Sequence, residues 1–371
     1  IDPTSRLSTQ IYYDHTFRSA RSFEDTLHTL DLDFQHRFQL MDGHDVNWGL
    51  GYRWYQSDLK DTFVIQSDPE RHRDDLLSAF LQDEITIVPD RLRLTVGTKI
   101  EHNDHTGLEI QPSMRMAWTI DERNTTWLAA SRAVRTPSII DTDLRINAVV
   151  FPTAPPTVLT VFGDDDFKTE ELYAFEAGYR VRPADFLSLD LAAFLNFYDD
   201  LRSIETGTTF PEASPAPAHN VTPFTLKNEM RARTYGVELS ANVQATPWWL
   251  LQANYGYLLM NLDPTSESND ATSEAAEDQN PRHQAWIRSA MDLPGSLALD
   301  VMTRYVSGLT AYDVDSYVEM DVRLAWQDPD RRFEAALVGQ NLLHESHPEF
   351  SAAAQRSEIE RGVYVSLTWR F

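Results

Sequence analysis

Two arginines three residues apart, Arg132 and Arg135 in the segment SRAVRTPS, are the residues of this chain best suited to holding an anion. A guanidinium is always charged, and its fork of donors matches carboxylate or chelate oxygens two at a time. The same groups can equally pair with carboxylates of the chain itself. Phe151, Phe162, Phe167 and Phe210 lie in long segments downstream and could line a pocket for an apolar or aromatic chelate. Packing of those segments against one another accounts for them as well. His344 and His347 in HESHPEF have a spacing a metal could use, but a metal site needs further ligands and an outer shell to orient them. No metal and no other cofactor is therefore expected. There is no nucleophile elbow, phosphate loop or HExxH, and no carboxylate pair stands out as catalytic, so the chain does not read as an enzyme.

The chain has 371 residues, with 32 Lys+Arg against 57 Asp+Glu, a formal charge of −25 that disfavours a nucleic-acid partner. It has no cysteine, which removes disulfides, thiol chemistry and zinc knuckles. Mean hydropathy is −0.42, and no apolar run is long enough for a membrane helix. A membrane β-barrel stays compatible, because its strands are apolar on one side only. Acid concentrates in particular segments: GDDDFKTEE at 163–171, and six carboxylates without Lys or Arg between Asp263 and Asn280. Such segments could attract a cationic ligand or metal, or be solvated loops bridged to lipopolysaccharide phosphates by divalent ions.

The elements that must position these residues are strands. The terminal segment GVYVSLTWRF puts Val363, Val365, Leu367, Trp369 and Phe371 on one face and Gly362, Tyr364, Ser366, Thr368 and Arg370 on the other. Leu30, Leu32, Phe34, Phe38 and Leu40 likewise stand opposite Asp31, Asp33, Gln35, Arg37 and Gln39, and Val318 to Trp326 repeats the split. Lipid on one face and a watery lumen on the other explain so many charges on one side of so many strands. Sixteen strands are expected, at 7–19, 26–40, 45–57, 75–88, 91–103, 108–120, 124–135, 171–182, 186–199, 232–245, 248–262, 282–292, 296–307, 314–327, 331–342 and 359–371. Short turns carrying Pro89, Pro183, Pro247, Pro294 and Pro329 alternate with long loops such as 136–170 and 200–231. Trp48, Trp118, Trp127, Trp248, Trp249, Trp326 and Trp369 fall near the short turns or the C-terminus, as an interfacial girdle would. The fold class is thus all-β: a transmembrane antiparallel up-and-down barrel of about sixteen strands, one domain over 1–371, in the outer membrane of a Gram-negative bacterium.

RHRDDLLSAFLQDEITI, LAASRAVRTPS, DFKTEELYAFEAGYRV, PRHQAWIRS, VGQNLLHESHPEF and VYVSLTWRF together resemble the barrel of a TonB-dependent receptor, in that family's order from about Phe80 onward. The resemblance implies energised uptake of a scarce nutrient, such as an iron–siderophore complex or cobalamin. It also implies a TonB energy-coupling complex acting through a plug, and a barrel of about 22 strands. Neither plug nor coupling segment is present in this sequence, so the chain is expected to be the C-terminal part of a longer receptor. The alternative is a plugless passive diffusion porin. Other expected partners are outer-membrane lipid and lipopolysaccharide, a small-molecule metal chelate, and the barrel-assembly machinery, for which Phe371 would be the signal. Arg132, Arg135, Phe151, Phe162, Phe167 and Phe210 are the candidate ligand-binding residues.

Overall fold

Strand geometry follows directly from the alternation just described, and the computed structural model, which describes residues 5–371, carries sixteen long strands. They are β1 (Arg6–Ser19), β2 (Glu24–Met41), β3 (His44–Lys60), β4 (Arg71–Val88), β5 (Leu92–Asn103), β6 (Gly107–Asp121), β7 (Asn124–Arg135) and β8 (Glu170–Ala184). The wall continues with β9 (Leu187–Thr206), β10 (His219–Thr246), β11 (Trp249–Pro264), β12 (His283–Leu293), β13 (Leu297–Val306), β14 (Tyr317–Gln327), β15 (Phe333–Gln340) and β16 (Gly362–Trp369). Each pairs antiparallel with its chain neighbour, in one continuous transmembrane barrel wall. Among the described residues β1 pairs only with β2 and β16 only with β15, and both strands are exposed along nearly their whole length.

The registers confirm the two faces. Outward rows include Ile11, Leu32 and Tyr52, and Leu299, Leu324 and Leu337. Inward rows carry the charges, as with Asp31 beside Arg53 and Asp300 beside Arg323. Inside, opposite charges pair: Arg53 to Asp31 at 2.7 Å, Arg304 to Asp321 at 3.0 Å, and Arg288 to Asp300 at 2.5 Å. Three inward aromatic rings, Phe80, Trp127 and Phe194, lie flat over Gly49, Gly178 and Gly236 of adjacent strands, where a Cβ would collide with the ring. The tight turns at the other rim use left-handed residues, Gly43 with φ 81° and Asp90 with φ 59° among them.

The structure departs from the sequence reading in four places. Segment 200–231, expected as a loop, is mostly strand: β9 and β10 stay paired as far as Thr206 and Phe224, well above the rest of the wall. Register shifts beyond Tyr198 break the period there, which hides the strands from a periodicity argument. Loop 136–170 contains a hairpin, Leu144–Phe151 with Thr157–Phe162, whose second strand pairs in parallel with Asn220–Thr225. Trp127 turns inward, so it is not part of the girdle, whereas Trp118, Trp326 and Trp369 are outward and well exposed. The terminal strand ends at Trp369, leaving Phe371 beyond it and fully exposed.

Val301 sits on the lipid face in mid-strand, opposite Val322, and its neighbour Met302 faces inward. Val301→Arg should therefore destabilise the refolded barrel in bilayers by about 2–4 kcal/mol, and Met302→Arg by far less. Denaturant unfolding monitored by tryptophan emission measures the difference.

Candidate functional site at the long-loop rim

Where strands leave the membrane, backbone groups can be satisfied by water, and charged side chains are no longer confined to one face. Arg135 is the last residue of β7, and Pro137 stops the strand just after it. A short helical turn, Ile139–Thr142, follows, capped by Ser138. This turn places Asp141 directly against Arg135, at 2.9 Å, with the Asp141 carboxylate also accepting from the Ser138 backbone N–H (3.0 Å) and hydroxyl (2.9 Å). Asp141 is 1% exposed. Burial pushes its pKa up, but the donors from Arg135 and Ser138 outweigh it and hold the carboxyl below the ordinary range. Glu170, in register with Arg135 across the β7–β8 pair, takes the other edge of the guanidinium bidentately at 2.6 and 2.9 Å. The ring of the buried Phe167 lies 5.9 Å from the same guanidinium.

A second cation completes the group. Arg202, on the extended part of β9, stands 3.6 Å from the free oxygen of Asp141, is half exposed, and donates its backbone N–H to Glu170. Arg135, Glu170 and Arg202 rim a cavity of about 480 Å³ floored by Leu201, Ile204, Met230 and Leu262. Met230, Ala232 and Leu262 form a buried apolar cluster beneath it. Asp141 and Glu170 balance the two guanidiniums, so the cavity joins a neutral ionic rim to an apolar floor, with the half-exposed Arg202 its least engaged cation.

The other candidates fall elsewhere. Arg132 lies just past the last β6–β7 pair, Ser113–Ser131; it bonds Glu171 at 2.8 Å and Glu109 at 3.4 Å, donates to the Ile110 carbonyl, and thereby closes the gap between strand ends. Phe162 packs 5.4 Å from Arg145, which is paired to Glu212 at 2.6 Å. Phe151 and Phe210 are exposed on short loop strands. The four phenylalanines therefore do not converge on one pocket. His344 and His347 both face Glu319, a fully buried carboxylate, at 2.6 and 3.3 Å. Glu319 also accepts from the Leu343 N–H at 3.1 Å, so the HESHPEF segment is a clasp holding the last loop to β14. Among the described residues no group of three or more histidines and carboxylates is arranged to hold a metal. Sequence reasoning missed Asp141, Glu170 and Arg202; the first lies six residues beyond Arg135, and the last lay in a segment read as loop.

The family described as TonB dependent receptor-like, beta-barrel has a sequence model that matches residues 2–342. The chain belongs to that family. Among solved structures the fold is shared with the siderophore receptor PirA from Acinetobacter baumannii, with TM-score 0.76 and 15% identity over 99% of this chain and 60% of that one. It is also shared with a variant of the ferric enterobactin receptor PfeA from Pseudomonas aeruginosa in complex with enterobactin, with TM-score 0.73 and 18% identity over 98% and 59%. PirA from Pseudomonas aeruginosa follows with TM-score 0.67 and 16% identity over 98% and 59%. The chain spans about three fifths of the length of these structures. No curated protein sequence matches it. The family is one of receptors rather than enzymes.

In this receptor barrel the acidic loops serve largely as internal fasteners. Asp270 accepts from the Ile204, Thr272 and Ser273 N–H groups at 2.8, 2.8 and 3.0 Å, pinning loop 265–282 to β9. Glu205 accepts from the Asn269 N–H at 2.6 Å, and Asp164 pairs with Lys227. Burial pushes the Asp270 carboxyl up, yet the bonds from Ser273, Thr272 and Ile204 prevail and bring it to about 2. Because this folded pKa is depressed, its stabilisation is complete above the unfolded value near 4 and is lost as pH falls toward 2. The loop should thus stay docked at pH 5 and loosen by about 2 kcal/mol between pH 4 and 2. Asp270→Asn should loosen it at pH 5 and abolish the change between pH 4 and 2. Hydrogen exchange at the Ile204 and Ser273 amides reads both effects.

Proposed function

We propose that the protein is the barrel of an outer-membrane TonB-dependent receptor of a Gram-negative bacterium, taking up a scarce nutrient such as an iron–siderophore complex or cobalamin. Family membership carries this reading, and it favours the receptor over a passive porin. The described neighbours PirA and PfeA are siderophore and ferric enterobactin receptors, which points to an anionic chelate as cargo. Residues 1–371 would act as one barrel domain, supplying wall and long loops. A plug from the parent polypeptide would gate the lumen and connect to the TonB complex. Two exposed edge strands, β1 and β16, give the places where further strands would bring the wall toward about 22. Lipid and lipopolysaccharide surround the wall, and Phe371 is the proposed assembly signal.

The ligand's anionic face would rest on Arg202 at the rim cavity, beside the Arg135 guanidinium that Glu170 and Asp141 hold, with its apolar body on Leu201, Ile204 and Met230. Arg202 is the cleaner probe, since removing Arg135 would leave the buried Asp141 carboxylate without its closest cation. Arg202→Ala should weaken ligand binding roughly tenfold, the worth of one charge-assisted bond of about 1.5 kcal/mol, without lowering the amount of folded barrel. The decisive measurement is radiolabelled iron–siderophore accumulation by cells whose sole receptor is the full parent polypeptide. Accumulation abolished by a protonophore is expected; accumulation indifferent to it would replace the receptor by a diffusion pore.

A further inference from the structure

A distortion of β9 builds the rim cavity. In a regular strand Leu201 would point to the opposite side of the sheet from Arg202 and Ile204. The β9–β10 register instead shifts on both sides of Leu201, between Tyr198 and Leu201 and again between Leu201 and Ser203, and all three residues line one cavity. The facing side is loop 265–282, whose 3-10 helix Ser273–Gln279 turns Ser273 and Ala276 onto the same space. Asp270 locks that loop to β9 through the Ile204 N–H at 2.8 Å. The cavity is thus shaped by this chain's own extended strand ends and loop, above the rest of the wall.

Its rim offers one cation. Arg135 and Arg202 face Asp141 and Glu170, so the four charges cancel. Arg135 is engaged by both carboxylates, whereas among the described residues the Arg202 side chain donates no hydrogen bond. The nearest carboxylate oxygen to it, Asp141 Oδ1, is 3.6 Å away. One guanidinium therefore has donors to give, enough for one anionic group. A second anionic group on the ligand would meet Glu170 with no cation left to balance it. The apolar lining is Leu201, Ile204, Met230, Leu262 and Ala276, aliphatic throughout, so a ligand gains there from buried area and not from ring stacking. We propose that the cavity takes an alkyl chain headed by a single carboxylate, which makes the ligand an amphiphilic monoanion and not a compact polyanion. The carboxylate pairs with Arg202, and each methylene buried on the floor tightens binding about fourfold. This names the ligand class of the rim cavity and rests on the reading of that cavity as the ligand site.

The test titrates hexanoate and octanoate onto the full parent polypeptide in lipid nanodiscs by calorimetry, against empty nanodiscs, with octylamine and octanedioate as controls. Saturable octanoate binding is expected, about fifteenfold tighter than hexanoate and about tenfold or more tighter than either control. Arg202→Gln should weaken octanoate about tenfold, and Arg202→Lys should recover part of the loss. Ala276→Phe, which fills the cavity from the loop side, should remove the difference between hexanoate and octanoate while the heat-modifiable folded band stays unchanged. Octylamine or octanedioate binding as tightly as octanoate would overturn the proposal. Binding without chain-length dependence, or indifferent to Arg202→Gln, would overturn it too. If no carboxylate binds yet Arg202→Ala still lowers iron–siderophore accumulation, the ligand class is wrong and the cavity keeps its role; if neither responds, the role itself falls.

Discussion

Every backbone N–H and C=O in contact with hydrocarbon must be paired, and the rest of this structure depends on that constraint. Fourteen of the sixteen strands meet it on both edges by exchanging hydrogen bonds with their neighbours, and β1 and β16 on one edge among the described residues, which fixes an antiparallel order and joins them by short turns at one rim. Once the ladder is fixed, side chains have only two directions available. Apolar residues go to lipid, and charges such as Asp31, Arg53, Asp300 and Arg323 go to the lumen, where they neutralise one another. Chemistry is thereby confined to the inner face and to the rim, where the constraint ends.

At the rim the same chain spends its acidic excess on order. Glu319 holds two histidines and a backbone amide, Asp270 holds three amides, and Asp141 holds a serine and two arginines. Each is a buried carboxylate, costly unless every lone pair finds a donor, so each fixes the segment that supplies those donors. The long loops therefore present shaped surfaces, and Arg135 is held over an apolar floor between Glu170 and Asp141. Preorganisation of this kind lowers the ordering cost of binding.

Glycine has a narrow role in the inner wall. At Gly178 and Gly236 a side chain would strike Trp127 or Phe194, so these positions let large rings lie flat against the sheet. In the case of Trp127 the ring in turn lies 5.9 Å from the Arg115 guanidinium, so the missing side chain at Gly178 reaches a charged side chain two strands away.

The sequence alone determined the strand count, the facing of the residues in the strands around Leu32, Met320 and Leu367, and the placement of short turns. All three rest on local rules: period-two alternation, proline and left-handed residues in turns, and aromatics at the membrane boundary. Family motifs were equally local and led to the membership that the match over residues 2–342 establishes. Tertiary structure decided what local rules do not encode. The continuation of β9 and β10 above the membrane, with its register shifts, has no single buried face and so no period. The parallel docking of Thr157–Phe162 onto β10 joins segments some sixty residues apart. In a chain with 57 carboxylates and 32 basic residues, the partner of any one arginine is ambiguous from sequence. The β7–β8 register brought Arg135 to Glu170, the fold of the 139–142 turn over the rim brought Asp141 to Arg202, and the return of the last loop onto β14 brought His344 to Glu319.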